Sequence, residues 1–439
     1  MGRKRAWEWE SVRTPDVDRD VLTLALARMA DAVGNSFLII VLPLYIASTD
    51  ITGGAFGLSE ALVTGLILSM YGFFSSFLQP FTGRLSDRRG ARRVFILFGL
   101  GILAVANGAY VFASGYTSLL AIRALQGIGV AFTLPATIAL VNELATTDTR
   151  GGSMGTYNTF RLLGFGVGPI VAGAVVHSGP YAIDLGGLAI RLSGFDAAFA
   201  IATLTAIVGF ALVTIFIDDP ETTHASAGDD LSVAVWARDD AHRLDPVFTL
   251  GVASLFMAVA IALLSAIEPQ VNTRLDQGPT LFGLEFGAFI LAQVGLQAPI
   301  GSASDLYGRR PFLLAGLALL VPTTLAQGLV VTPAGMLAAR VLQGVAAAMV
   351  FSPSLALAGD LAEEGQSGTQ LSVLTMAFGL GIAIGPLASG FLVRFGFVYP
   401  FVFGAALALV GLVLVYSEVV ETVGASAGES PLETTAPQD

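Results

Sequence analysis

The feature that most constrains this chain is a succession of apolar runs, each about 20 residues long, the length an α-helix needs to cross the hydrocarbon core of a bilayer. Twelve can be drawn, at roughly 21–48, 57–83, 93–115, 117–144, 153–177, 195–217, 247–271, 280–302, 310–331, 333–360, 368–393 and 396–419. No water satisfies the backbone inside a bilayer, so only helices and closed barrels span it. A barrel would show short strands of alternating polarity, and the sequence has none. A soluble buried helix usually keeps a polar face; most of these runs do not. With 54% hydrophobic and 13% charged residues over 439 positions, the chain is predicted to be an all-α integral membrane protein.

The same motifs occur twice. Gly83-Arg84-Leu85-Ser86-Asp87-Arg88-Arg89-Gly90 returns as Gly301-Ser302-Ala303-Ser304-Asp305-Leu306-Tyr307-Gly308, an offset of 218 (Gly83 to Gly301). Arg123-Ala124-Leu125-Gln126-Gly127 returns as Arg340-Val341-Leu342-Gln343-Gly344, an offset of 217 (Arg123 to Arg340). Gly168-Pro169 returns as Gly385-Pro386, and the acid Glu143 falls on Asp360, both in the second register. Chance would scatter the offsets. Duplicated halves in a very apolar chain point to a secondary transporter, which works by rocking one half against the other.

Basic residues of short loops stay cytoplasmic. Arg84, Arg88, Arg89, Arg92 and Arg93 lie between the second and third spans, Arg309 and Arg310 between the eighth and ninth, and Arg3, Lys4 and Arg5 at the N-terminus. Twelve spans put all three groups on one side, so both termini are expected in the cytoplasm of a multi-pass plasma-membrane protein. The expected organisation is a cytoplasmic segment 1–20, a six-helix bundle 21–217, an acidic cytoplasmic linker 218–246, a second six-helix bundle 247–420 and a disordered tail 421–439. Within the linker, 231–243 can form a short surface helix, and 178–194 is the longest outside loop. Met1 to Asp20 lacks the pattern of a cleavable signal peptide, so the first span serves as the insertion signal.

The net charge of −11 sits in these loops: Asp218 to Asp245 holds eight acids against Arg238 and Arg243, and Lys4 is the only lysine. Such a surface fits a high-salt cytoplasm, as in a halophilic archaeon; a merely acidic linker and tail fits equally well. There is no cysteine, and His177, His224 and His242 fall in predicted loops, so no metal site and no cofactor are expected. An enzyme would need a nucleophile, a metal cluster or a phosphate-binding loop, and none is visible. Nucleic acid is not an expected partner, and a monomer is expected.

The paired loop motif, of the form G-x-x-x-D-x-x-G-R-R, resembles the signature of the major facilitator superfamily, and the likeness covers essentially the whole chain. It implies two pseudo-symmetric six-helix bundles around a central cavity and alternating access. Asp31-Ala32-Val33-Gly34 followed by Leu42-Pro43 is similar to the first-helix pattern of twelve-helix drug:proton antiporters, tetracycline exporters included. Gly164-Phe165-Gly166-Val167-Gly168-Pro169 with Gly173 resembles their fifth-helix antiporter motif, with Ala172 where a second glycine is common. Its echo in the eleventh span (Gly381, Gly385, Pro386, Gly390) leaves an architectural role open.

In the loop motif, Asp87 can pair with Arg88 or Arg92, with Glu143 as third member. Gly83 permits close helix approach and Gly90 a tight turn. The second half repeats the set as Gly301, Asp305, Gly308, Arg309 and Asp360. These pairs are expected to latch the cytoplasmic side when the transporter faces outward; the bland alternative is that the arginines only fix topology.

An ionisable side chain in hydrocarbon is costly and so invites a functional reading. Asp31, near mid-membrane, is the expected proton-coupling or substrate site, as against a structural ion pair. Arg123 is its first expected partner, with Gln126 as hydrogen-bonding neighbour, and Arg161 the rival. Glu268 and Glu285 could take a proton or a cationic substrate, but the weight lies with both reaching the outer interface and being hydrated. Gly164, Gly168, Pro169 and Gly173 are expected to pack the fifth span against a helix of the other half, Pro169 bending it. Asn35, Phe37, Tyr71, Tyr157, Asn158, Gln293 and Gln297 are candidate cavity residues.

The leading expectation is proton-coupled export of amphipathic or cationic small molecules, with protons as coupling ion and the lipid bilayer as solvent. Symport of a sugar or organic anion, recognised by Arg123, Arg161 and Arg340, is the alternative. A lipid-like substrate stays open, and a receptor that kept a transporter fold is disfavoured by the duplicated charge sets.

Overall fold

The computed structural model describes residues 18–48, 57–145, 150–185, 188–219, 235–236, 243–361 and 367–422. Thirteen helices of eight residues or more lie among them: α1 (Arg19–Ala47), α2 (Glu60–Arg89), α3 (Arg92–Gly108), α4 (Tyr116–Leu144), α5 (Arg150–Ser178), α6 (Gly194–Phe216), α7 (Pro246–Ala262), α8 (Glu268–Leu275), α9 (Pro279–Tyr307), α10 (Arg309–Leu329), α11 (Pro333–Asp360), α12 (Ser367–Leu392) and α13 (Tyr399–Glu418). Twelve are long and apolar enough to span a bilayer; α8 is the exception.

Local chemistry sets the ends. Ser193 and Asp196 form a capping box on α6, and Asp245 Oδ1 accepts from Val247 N and Phe248 N at the start of α7. α2 runs through the arginine motif, past the expected end at 83, and stops only at Gly90 (φ 62°), a left-handed position that glycine takes without strain. The seventh span, expected to run unbroken to 271, instead tightens into a 3₁₀ turn at Leu263–Ala266 and restarts as α8. Pro269 is the cause: it has no N–H for the carbonyl four residues back and its ring crowds that carbonyl, so it is tolerated only in a helix's first turn, which is where α8 places it. The expected outside loop 178–194 contains a two-stranded hairpin, β1 (Tyr181–Leu185) against β2 (Leu188–Leu192). Of the expected linker helix, most lies outside the described residues; Trp236 pairs with Leu244 as an isolated bridge.

The duplication in sequence is a duplication in space. In the first half α1 packs on α5 and α6, α4 on α2 and α3, and α3 on α6. In the second, α7 packs on α12 and α13, α11 on α9 and α10, and α10 on α13. Acids just beyond each half cap the same element. Asp219 Oδ1 accepts from Arg93 N at 2.7 Å at the start of α3, and Glu421 accepts from Arg309 N and Arg310 N at 3.1 and 2.9 Å at the start of α10.

The halves meet along two seams, α2 with α12 and α5 with α9. Both are built from glycines set against backbone. A Cβ on Gly65 or Gly390 would collide with the backbone of Pro386–Leu387 or Ala61–Leu62, and one on Gly283 or Gly173 with that of Pro169–Ile170 or Pro279–Thr280. All these contacts lie toward the end opposite the arginine loops. Among the described residues no comparable seam closes the arginine-loop side.

Candidate functional site

Between the halves lies a cavity of about 1090 Å³, the open solvent at its mouth included, closed at the far side by the two seams. Its wall is mainly aromatic and aliphatic, with Phe165, Phe286, Phe289, Phe351 and Phe378 prominent. The polar groups on it are few: Asn35, Tyr71, Ser265, Gln293, Gln297 and two arginines, Arg123 and Arg161. Among the described residues no carboxylate lines it.

Arg161 Nε and Nη2 donate to Asn158 Oδ1 at 3.1 and 2.8 Å, and its guanidinium lies 5.9 Å from the Phe165 ring centroid. Arg123 Nη1 donates to Gln126 Oε1 at 3.1 Å, which also accepts from Tyr110 Oη at 3.2 Å, and the guanidinium lies over Tyr71. Gln126 thus holds the expected place beside Arg123. Arg340 repeats the arrangement in the second half, donating to Gln343 Oε1 at 2.6 Å; like Arg123 it is buried, but it lies between Phe286 and Phe289, off the cavity wall. The other cavity candidates divide. Asn35, Tyr71, Gln293 and Gln297 reach the wall, Asn158 orients Arg161, and Phe37 and Tyr157 are packed in the core.

Asp31 is not on this wall, and neither Arg123 nor Arg161 is its ion-pair partner. It pairs with Arg28, one turn earlier on α1, and both are buried among Leu24, Ile96, Leu100, Thr133 and Thr137 inside the first half. The i,i+3 spacing of Arg28 and Asp31 puts them on one helix face and was the signal available in the sequence.

The loop sets close around one arginine each. Arg92, 1% exposed, binds Asp87, Glu143 (2.8 Å) and Ser86 Oγ (3.0 Å), while Arg88 is exposed and outside the set. Arg309 binds Asp305 (3.0 Å) and Asp360, which also accepts from Thr422 Oγ1 at 2.7 Å. Each set ties helices within one half. Both are formed while the arginine-loop side is open, so they do not bridge the halves here. Gly83 and Gly301 face α4 and α11 of their own halves.

The glycines of α5 also divide by face. Gly164 and Gly168 pack on α1 of their own half, correcting the expectation for those two; Gly166 and Gly173 meet α9 of the other half, and Pro169 supplies the carbonyl that Gly283 approaches. Glu268 and Glu285 are corrected as well: they are 0% and 2% exposed, not hydrated at an interface. α8 packs on α1 and α9 with Glu268 on its buried face.

Glu268 lies between two spans, and burial holds its carboxyl well above the usual carboxylate range, with the Glu285 charge adding to the rise and Asn272 opposing it. The native state therefore keeps a proton that the unfolded chain releases once pH exceeds the ordinary carboxylate range. Stability must fall as pH rises from there toward the raised native value. Glu268→Gln is expected to raise the thermal midpoint by a few degrees at neutral and alkaline pH and to flatten that decline, as read by thermal unfolding in detergent. An unchanged pH profile would mean that Glu268 does not titrate across the transition.

The family model described as Major Facilitator Superfamily matches residues 24–264 and 248–436. Citrate exporter 1 of Aspergillus niger is 28% identical over 185 residues, 42% of this chain and 32% of that protein, so the aligned part spans about a third of that relative's length. The multi-drug resistance efflux pump PmrA homolog of Lactococcus lactis is 26% identical over 366 residues, 81% of this chain and 84% of that one. Among solved structures, a bacterial homolog to the human lysosomal transporter Spinster, inward-facing and occupied, superposes with a TM-score of 0.71 at 13% identity, over 90% of this chain and 95% of that one. With two matched six-helix halves, the duplicated loop motif and the family model across nearly all of its length, this chain belongs to the Major Facilitator Superfamily.

Proposed function

We propose that the chain is a proton-coupled secondary transporter that exports amphipathic small molecules, and that its cavity prefers those with an anionic head. The observation that carries this is the cavity wall: two arginines, amides and aromatic rings, with no carboxylate among the described residues. A guanidinium offers planar paired donors to a carboxylate or sulfonate, and the rings accept an apolar body. The cationic substrate of the sequence reading finds no counter-charge on this wall, because Asp31 is turned into its own half and paired with Arg28. Efflux relatives that align over most of their length support export of amphipathic compounds, and a citrate exporter among the relatives is compatible with anions. The positive-inside pattern makes the arginine-loop side cytoplasmic, so the open cavity is the one that loads from inside. Asp31 with Arg28 is the proposed coupling pair, since gain and loss of a proton on Asp31 makes and breaks a buried charge pair.

The test uses liposomes with an imposed pH gradient, comparing a labelled naphthalene sulfonate with tetraphenylphosphonium. Gradient-driven movement of the sulfonate is expected, reduced by about tenfold or more in Arg161→Gln, as for loss of a charge-assisted hydrogen bond. Arg161 suits this better than Arg123, whose loss would also disturb Gln126 and Tyr110. Movement of the phosphonium alone would sink the anionic preference. No dependence on the gradient with either probe would sink proton coupling.

A further inference from the structure

Beyond the far end of the cavity, off its wall, lies a group of polar side chains short of donors. Both oxygens of Glu268 are buried and make no hydrogen bond of ordinary geometry; Asn272, one turn along α8, is the neighbouring polar group. Gln277 Nε2 donates to Asn272 Oδ1 at 3.3 Å and to Glu285 Oε2 at 3.0 Å, which links α8 to α9. The remaining oxygens, Glu285 Oε1 and Gln277 Oε1, are buried without a partner. Arg340 of α11 is the facing cation, yet it makes no ion pair with Glu285, and its Nε and Nη2 are unpartnered. A buried carboxyl without donors meets its need by carrying a proton, which turns one of its oxygens into a donor. Two ionised carboxylates buried together would repel each other in a medium that solvates neither.

Their place in the fold gives the site a consequence. Glu285 sits on α9 between Gly283 and Gly287, the two glycines that meet α5 in the far-side seam. Glu268 heads α8, which packs on α9 and on α1 of the first half. Glu285 is two residues from each glycine, which turns it to the other side of α9, toward Arg340, while α8 packs on α1 of the first half; parting α1 from α8 and α5 from α9 as the far side opens would admit water to both carboxyls.

We propose that Glu268 and Glu285 form a second proton-binding site, loaded from the side opposite the arginine loops, and that loading it is what permits that side to close. The site is distinct from the Arg28–Asp31 pair, which lies in the other half. The other titratable groups nearby, His177 at the end of α5 and Arg274 and Asp276 on α8 and its cap, are exposed at the rim. The proposal rests on the alternating-access reading above. Its test reads accessibility and not flux, so failure of the substrate or coupling assignment leaves it answerable.

The chain has no cysteine, so one can be placed as a reporter. Ser69 of α2 is buried in the seam, its hydroxyl donating to the Ala383 carbonyl. In nanodiscs, maleimide labelling of Ser69→Cys is measured against pH and normalised to Thr117→Cys, an exposed position, which removes the thiol's own titration. Normalised labelling is expected to rise by about tenfold from acidic to alkaline pH as the population shifts. Glu268→Gln and Glu285→Gln should each hold it low and flat, and His177→Gln should leave the rise intact. Either glutamine variant suffices if the other is not monodisperse. A full pH response in both, its loss in His177→Gln, or labelling that follows sodium at fixed pH would overturn the proposal.

Discussion

Asp31→Ala is expected to cost about 3–5 kcal/mol of stability, the usual penalty for leaving one partner of a buried ion pair without its counter-charge. Arg28 and Asp31 are each about one-twentieth exposed, and Arg28 Nε already lacks a partner. The surrounding Leu24, Ile96 and Leu100 cannot solvate the guanidinium that remains, and the hydroxyls of Thr133 and Thr137, which donate to backbone carbonyls, bring no charge to replace the carboxylate. Replacing both residues, as Arg28→Leu with Asp31→Leu, should restore most of that loss, because an apolar pair of similar volume is often as stable as a buried ion pair. The double variant should nevertheless fail to couple flux to a pH gradient. Thermal unfolding in detergent reads the first effect and dye-loaded liposomes the second. A single variant as stable as the parent would mean that the pair is solvated or neutral in the native protein.

The second large effect lies at the seams. Gly65→Val should abolish transport while leaving insertion and helicity intact. The added Cβ meets the Pro386 carbonyl and the Leu387 backbone, neither of which can yield as a flexible side chain would. Overpacking typically costs about 1–3 kcal/mol, sometimes more. Here the molecule has a way out short of unfolding, since the contact joins two halves that can part. The expected result is therefore a shift toward a far-side-open state, visible as increased labelling of Ser69→Cys. Gly283→Val, at the equivalent place in the other seam, should do the same. Gly83→Ala is the contrast: its Cβ would stand 3.4 Å from Pro135 Cβ, an ordinary contact, so it should be nearly silent. Equal effects at Gly65 and Gly83 would remove the argument that backbone proximity, and not glycine content, makes the seam.

Much of this protein was legible in one dimension. The spans follow from apolar length, because the bilayer fixes how much chain must be buried and leaves the backbone one way to satisfy itself. The halves follow from the repeated motifs, and the sets around Arg92 and Arg309 follow from acid, base and glycine at matched spacing. What stayed hidden is rotation about each helix axis. A surface helix in water declares its inner face by polarity; α2, α4 and α9 are apolar nearly all round, so their sequence does not say which side meets which neighbour. For that reason the sequence offers Asp31 the partners Arg123 and Arg161, whereas in the fold it turns inward to Arg28. Its spacing leaves Gly164 and Gly168 free to meet the far half, whereas they pack on α1. It lets Glu268 and Glu285 reach water, whereas a proline-induced break carries one, and the packing of α9 the other, into the interior. Length, repetition and the helix-breaking chemistry of Pro269 and Gly90 are local properties that the amino acids determine by themselves. The choice of partner, and with it a cavity that holds arginine and no acid, was decided only when the helices packed.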